Sequence, residues 1–231
     1  MVIKMKLTQI ISTLTLGAAL ALTPGKARAD FFDGMRGPND VQLDQRVTFS
    51  QGSDVMYTLL PKTFIDIGDK GNGIFAVTPL SYSPGKKLNA GVGVGGFLNL
   101  GKVGLLGVLP VVYSAGGEVT NINPTLYATI TAGNFLFDPR VSYLASINGD
   151  TTQHNLSFGV TAGYKIDNVI LGFDVSTGFD PKGPDTEQLR QNLNYQGIIR
   201  VDLDPQHHNW VQAYLGKDSV GIGFRANFDW R

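Results

Sequence analysis

Charged residues recur at alternating positions in several extended-looking segments of the chain. A β-strand turns alternate residues to the same face of a sheet, so Asp138 would share a face with Arg140, and Arg200 with Asp202. If a closed sheet enclosed these faces, its interior would carry both signs of charge. Two hypotheses follow: mutual pairing that stabilises a partly filled interior, or a constriction of opposed charges that orients a polar solute or sets ion preference. The lumen-lining candidates are Asp138, Arg140, Asp174, Arg200, Asp202, Arg225 and Asp229.

The histidines are the other residues that could carry chemistry. His207 and His208 are adjacent and could contribute to a metal site, but neighbours in an extended chain point apart and no second cluster supplies more ligands. A solvated turn is the favoured interpretation. His154 and Ser157 could form a base and a nucleophile, yet three residues apart in a strand they face opposite sides. We therefore predict no catalytic residue and no metal ligand.

A glycine motif offers a possible cofactor site. Gly91, Gly93 and Gly96 match the spacing G-x-G-x-x-G, which in a dinucleotide-binding fold cradles a pyrophosphate at the start of a helix. Here the motif lies in an alternating run and no helical pattern follows it. The spacing favours small residues on one face of a sheet, and we predict no cofactor.

The elements that must position these residues are strands. From Val220 to Trp230 apolar residues alternate strictly with Gly, Arg, Asn and Asp, and the same period runs from Asn155 to Lys165. Asp167-Asn168 then supplies a two-residue turn, since both residue types tolerate positive φ. Similar patterns predict strands at about 41–50, 55–68, 73–82, 88–98, 103–113, 122–132, 135–148, 152–165, 169–179, 192–203, 209–217 and 219–230.

These strands predict an all-β fold, a closed antiparallel up-and-down transmembrane β-barrel of about 12 strands. Ten strands is the alternative, because a proline inside a strand removes a ladder hydrogen bond and marks either a bulge or a strand end. Most of these prolines lie in the first half of the chain, where the strand number is least determined. The prolines within predicted strands are Pro61, Pro79, Pro110 and Pro139.

Composition favours a membrane barrel over a soluble one. Only 16% of residues are charged, and the polar faces are mostly Gly, Ser, Thr and Asn, which suit an enclosed interior better than an open surface. The predicted strands are long enough to cross a tilted bilayer. If the last strand ends in the periplasm, the short turns lie there and the two longest loops, 114–121 and 180–191, lie outside.

The start of the chain predicts export. Residues 1–29 have the charged start, the apolar stretch and the Ala27-Arg28-Ala29 cleavage site of a signal peptide. We expect an irregular N-terminal segment at 30–40, in which Phe31, Phe32 and Met35 could form a small plug or a loosely attached end, and a barrel domain at 41–231. Removing the signal peptide takes away basic residues only, so the mature chain is net negative, unlike a nucleic-acid binder. With no cysteine, disulfide and thiolate chemistry are excluded.

The signal peptide, the absence of cysteine and the alternating last strand with Phe228 and Trp230 resemble the bacterial outer-membrane β-barrel proteins as a broad class. The resemblance implies a location in the cell outer membrane, contact with its lipid and with the barrel-assembly machinery, and a channel or transporter-like role for small solutes. It implies no nucleic-acid partner. The alternatives are a barrel hydrolase acting on lipid or peptide through His154 or the His207-His208 pair, a non-catalytic structural barrel, and a soluble periplasmic β-sandwich.

Overall fold

A computed structural model describes residues 41–50, 55–67, 72–85, 88–100, 103–114, 120–182, 192–204 and 209–228. The predicted signal peptide at 1–29, the segment at 30–40, the His207-His208 pair and Asp229 lie outside these ranges. In the described ranges no helix is long and apolar enough to cross a membrane.

The described chain folds into twelve antiparallel strands, two of which are each split into two segments. They follow the predicted strands closely, because alternating polarity identifies the strands and turn residues mark their ends. The strands are β1 Val41–Ser50, β2 Val55–Asp66, β3 Gly73–Val77 with Leu80–Tyr82, β4 Asn89–Asn99, β5 Val103–Ser114, β6 Thr120–Ile122 with Thr125–Ala132, β7 Phe135–Asn148, β8 Thr151–Ile166, β9 Val169–Phe179, β10 Asn194–Asp204, β11 Asn209–Gly216 and β12 Ser219–Phe228.

The sheet closes on itself between its first and last strands. Strand β1 pairs with β2 on one side and with β12 on the other, in an unbroken register that runs from Val41 opposite Phe228 to Ser50 opposite Ser219. Each remaining strand pairs with its neighbours in sequence. Closure leaves no edge strand with unpaired backbone groups. The prediction of a closed, up-and-down, twelve-stranded barrel is confirmed, and the ten-stranded alternative is not.

Alternation gives this barrel two chemically different faces. The outer face is apolar: Val92, Val94 and Leu215 each expose more than three fifths of their surface. Apart from Asp204 at a bulge in β10, every charged residue of the described strands lies in the opposite, inward-facing register. Such segregation is what a bilayer around the barrel demands. The inward-facing charged residues are Asp44, Arg46, Lys62, Asp66, Asp138, Arg140, Lys165, Asp174, Arg200, Asp202 and Arg225.

Each proline coincides with a gap in the pairing between its strand and one neighbouring strand. Strand β3 breaks at residues 78–79 opposite Pro61, whose carbonyl still accepts from the Thr78 amide at 3.0 Å. Strand β6 breaks at residues 123–124 opposite Pro110, whose carbonyl accepts from the Asn123 amide at 3.1 Å. The β6–β7 ladder also skips the partner of Pro139. Of the four prolines within predicted strands, only Pro79 falls at a strand break. The expectation that a proline marks a bulge or a strand end was wrong for Pro61, Pro110 and Pro139, which lie in continuous strands without a register shift.

Three of the two-residue hairpin turns share one backbone feature. The first residue of each turn has positive φ: 63° at Gly133, 55° at Gly149 and 52° at Asp167. Glycine takes this conformation without strain, and aspartate tolerates it better than most residues. These turns fix the registers of β6 to β9, and hence which residues face inward.

Candidate functional site in the barrel interior

A polar network crosses three neighbouring strands in the second half of the barrel. The Arg140 guanidinium on β7 donates to both carboxylate oxygens of Asp174 on β9, at 2.5 and 2.9 Å. The Thr161 hydroxyl on the intervening β8 donates to the same carboxylate at 2.6 Å. Asp138, one inward position before Arg140, accepts a hydrogen bond from Thr129. Asp174 and Asp138 are almost completely buried, so these contacts compensate for their lost hydration.

A second cluster lies on β8, β10 and β11. The side chains of Arg200 and Asp202 form an ion pair at 3.0 Å with almost no exposure, and Lys165 adds a contact to Asp202 at 3.1 Å. The Arg200 guanidinium also lies 4.8 Å from the centre of the Trp210 ring. This stacking explains how a bulky cation stays buried beside an aromatic wall residue.

A third cluster joins the first and last strands of the barrel. Asp44 on β1 accepts from Arg225 on β12 at 2.6 and 2.9 Å, and from Lys62 on β2 at 2.8 Å. Gln42 also donates to Asp44, at 3.0 and 3.2 Å. Two cations therefore share one carboxylate, and the three ionised groups together carry one excess positive charge. Arg225 lies 5.1 Å from the Trp210 ring, which connects this cluster with the second.

Six of the seven candidates from the sequence are described, and all of them belong to these clusters. Arg140 keeps about a quarter of its side chain exposed, and the other five are buried. The sequence candidates did not include three charged members, Asp44, Lys62 and Lys165. The alternation of Gln42, Asp44 and Arg46 in β1 was a signal for the first of them, whereas Lys62 follows a proline in an otherwise apolar stretch and gives no such signal.

The inward face of the first half of the barrel is apolar instead. Phe64, Phe75, Phe97 and Leu106, from β2 to β5, form a buried cluster together with Val77. The Phe64 ring stacks on Phe75 at a centroid distance of 5.3 Å and meets Phe97 edge-on at 5.8 Å. No charged residue occurs in the described parts of β3 to β6. The interior is thus divided into a charged arc and an apolar arc.

Described residues line two cavities of the interior. The larger of these has a volume of ≈ 440 Å³ and is lined by apolar residues such as Phe75, Leu106 and Val108. Polar side chains also line it: Lys62, Ser81, Asn89, Asn121, Asn123 and Thr125. The smaller, of ≈ 270 Å³, lies on the charged arc beside Arg140, with Ser142, Ser157 and Asn155 in its wall. A space with a mixed wall and a polar space thus lie within the same barrel.

The glycine motif has a structural explanation. Gly91 and Gly93 face inward on β4. An added Cβ at Gly91 would lie 2.4 Å from the Val111 carbonyl oxygen, and one at Gly93 would lie 2.8 Å from the Pro110 Cα. Their missing side chains let β5 and Val77 approach closely. Gly96 lies in the opposite register, so the expectation that all three glycines share one face was wrong. An odd separation always places strand residues on opposite faces.

The possible catalytic pair is not assembled. His154 lies on the outer face, where a hydrogen bond of 2.6 Å joins its Nδ1 and the Tyr143 hydroxyl. The two rings also stack on each other. Ser157 faces inward and its hydroxyl contacts that of Ser142 at 2.6 Å. Among the residues that the structure describes, no group of three or more His, Asp or Glu side chains could hold a metal ion.

No protein-family model matches the chain, and no curated protein matches it. Solved structures do match in fold. The KdgM porin in complex with disordered oligogalacturonate is 9% identical, with a TM-score of 0.61 over 81% of this chain and 99% of that one. The NanC porin is 13% identical, with a TM-score of 0.56 over 80% and 99%. The Acinetobacter baumannii outer membrane protein Omp33 is 10% identical, with a TM-score of 0.50 over 85% and 100%.

The chain therefore has the fold of the bacterial outer-membrane β-barrel proteins, as its sequence pattern predicted. Among these barrels, the KdgM and NanC porins resemble it in fold. At this level of identity the likeness concerns the fold.

Proposed function

We propose that this protein is a channel or transporter-like barrel of the bacterial outer membrane, through which small solutes pass. The observation that carries the proposal is the segregation of charge: the described strands direct their charged residues inward and an apolar band outward. An interior that only stabilised the barrel could be filled with apolar side chains at lower desolvation cost. The resemblance in fold to porins supports the same function.

The proposed path runs along the charged arc. Asp138, Arg140, Asp174, Arg200, Asp202 and Arg225 are the residues that we propose to line it, joined by Asp44 and Lys62. Opposed charges along a narrow path order water and orient a dipolar or charged solute. Asp229 stays a predicted member of this set.

Residence in the outer membrane belongs to the same proposal. Export through the predicted signal peptide, contact with outer-membrane lipid and insertion by the barrel-assembly machinery would all be required. Fractionation tests this part: the mature chain should remain with membranes after a high-salt wash and require detergent for release. Its mobility in a gel should differ between heated and unheated samples, because a closed barrel keeps its fold in detergent until it is boiled.

Conductance in planar bilayers tests the channel itself. The purified, heat-modifiable barrel should produce discrete current steps in KCl. Arg200→Gln and Arg225→Gln each remove a positive charge from the proposed path, so the reversal potential across a salt gradient should move towards cation preference. Lys217→Gln, in the exposed turn between β11 and β12, removes the same charge outside the wall and should leave the potential nearly unchanged. A folded barrel that passes no current would overturn the proposal.

A further inference from the structure

The buried aromatic cluster fills one side of the barrel near the connections from β2 to β3 and from β4 to β5, which we call the β2–β3 end. Each of its members exposes at most 5% of its surface. Side chains that only coated the wall of an open passage would keep one face exposed to it. The interior on this side is therefore filled at the level of the cluster. The members are Phe64, Phe75, Val77, Phe97 and Leu106.

Two reciprocal contacts between β3 and β4 hold the rings in place. Phe75 is the cross-strand partner of Gly95, and Gly73 is that of Phe97. An added Cβ at Gly95 would lie 2.4 Å from the Phe75 ring, and one at Gly73 would lie 2.7 Å from the Phe97 ring. Each ring thus lies directly over the backbone of the neighbouring strand. Such close packing leaves the rings little room to move, so the cluster is a fixed part of the barrel.

The larger cavity ends on this cluster. Phe75 and Leu106 line the cavity, whereas their directly opposite partners on the neighbouring strands, Phe64 and Phe97, do not. From this level the wall of the cavity extends along β3 as far as Ser81. Phe64 and Phe97 therefore separate the cavity from the β2–β3 end of the barrel. An apolar constriction of this kind also excludes water and ions from small gaps, because they would lose their hydration there.

The cluster lies between two parts of the charged arc. On β2 the inward position next to Phe64 is Lys62, which belongs to the cluster around Asp44. On the other side Tyr127 packs against the aromatic cluster, and its cross-strand partner on β7 is Arg140. Closure of the apolar side thus leaves the charged side as the route past this level.

We infer that the aromatic cluster is a fixed closure that sets the ion preference and the size limit of the channel. It directs solutes past Arg140 and Lys165, each of which keeps about a quarter of its side chain exposed. The inference rests on the proposed function and makes Phe64, Phe75 and Phe97 specificity-determining residues. A barrel open over its whole width would sort solutes mainly by size, whereas this one brings them close to charged groups.

The first test opens the closure from the β2–β3 end. The double substitution Phe64→Ala/Phe97→Ala removes two rings that separate the larger cavity from that end. Conductance of planar bilayers in KCl should rise by about twofold or more, because a second route opens beside the charged arc. The reversal potential across a salt gradient should move towards zero, since the new route bypasses the charges. Sucrose, an uncharged solute, should enter liposomes faster through the variant than through the wild type.

The matched control removes two rings from the outer face. Phe137 and Phe173 expose 42% and 54% of their surface, so Phe137→Ala/Phe173→Ala should leave conductance and reversal potential unchanged. Both double variants are first checked for the heat-dependent gel shift. Wild-type conductance and ion preference in a folded Phe64→Ala/Phe97→Ala barrel would overturn the inference. If the wild type passes no current, the proposed function fails; current through the double variant would then still support the closure, and its absence would overturn it.

Thiol labelling tests the closure without any current and with a single substitution. The chain contains no cysteine, so Phe97→Cys places one thiol in the closure, and Ser142→Cys places one beside the smaller cavity on the charged arc. A methanethiosulfonate reagent with a trimethylammonium group should modify Phe97→Cys about a hundredfold more slowly than free cysteine, because a hydrated cation does not enter an apolar cluster. A rate comparable to that of free cysteine would overturn the inference. Slow labelling of Ser142→Cys would count against the proposed path and not against the closure.

Discussion

Arg140 and Asp174 form a two-pronged ion pair that spans the whole width of strand β8, with nitrogen–oxygen distances of 2.5 and 2.9 Å. The span is possible because the β8 residue opposite Arg140 is Gly159. A Cβ at Gly159 would lie 2.7 Å from the guanidinium carbon. A small residue on one strand thus permits a contact between its two neighbours.

Removing one partner of this pair should destabilise the barrel. Asp174→Asn leaves the Arg140 charge in a poorly hydrated site, and we expect the free energy of unfolding to fall by about 3 kcal/mol. Urea titration in lipid vesicles, followed by tryptophan fluorescence, measures the change. Asp180→Asn, at an exposed turn just after β9, is the matched control and should change stability by less than about 0.5 kcal/mol. Equal effects of the two substitutions would contradict the role of the ion pair.

Gly159 should be energetically coupled to that pair. Gly159→Ala forces the Arg140 guanidinium to move, so it should cost about 1–3 kcal/mol in the wild-type barrel. In the Asp174→Asn background the guanidinium has no carboxylate to lose, and the same substitution should cost clearly less. A double-mutant cycle on unfolding free energies gives the coupling. Additive effects would mean that Gly159 is required for some reason other than the ion pair.

Neighbouring glycines on β4 allow a sharper test of packing. Gly95→Ala places a Cβ 2.3 Å from the Gly107 carbonyl oxygen and 2.4 Å from the Phe75 ring, so it should lower stability by about 1–3 kcal/mol. Gly96→Ala, one residue further, meets nothing closer than 3.5 Å and should be neutral or slightly stabilising. Midpoints of urea unfolding for the two variants provide the measurement. The reverse order of stability would show that β4 does not have this register.

Much of the fold was predictable because two local signals agree along the second half of the chain. There the inner face is polar and the outer face apolar, so alternation identifies the strands, and turns such as Asp167-Asn168 fix their registers. In the first half both faces are apolar: on β5, Leu105 points outward while Leu106 points inward. Alternation is then hidden, and the apolar arc could not be recognised from the sequence.

The site was predictable only as far as single strands allow. Periodicity correctly grouped Asp138 with Arg140, and Arg200 with Asp202, on common faces. It could not show that Arg140 reaches across β8 to Asp174, because that contact depends on the registers of three strands. Pro79 signalled the break at residues 78–79, whereas the break at 123–124 was not predicted; in the fold each break faces a proline on another strand.

The outer face should tolerate charge only near the ends of the strands. Val94 lies at the middle of β4 and exposes 65% of its surface, so Val94→Arg places a guanidinium at the depth of the hydrocarbon core. We expect a loss of about 2–4 kcal/mol in unfolding free energy for the barrel in lipid vesicles. Val220→Arg, also outward but one residue from the start of β12, should cost about 0–1 kcal/mol because its guanidinium reaches the interface.

Both variants are compared with the wild type by urea titration in vesicles of the same lipid. In detergent micelles, which deform around a charge, the difference between them should shrink. Equal stability of the two arginine variants in vesicles would be incompatible with a bilayer around the middle of the barrel.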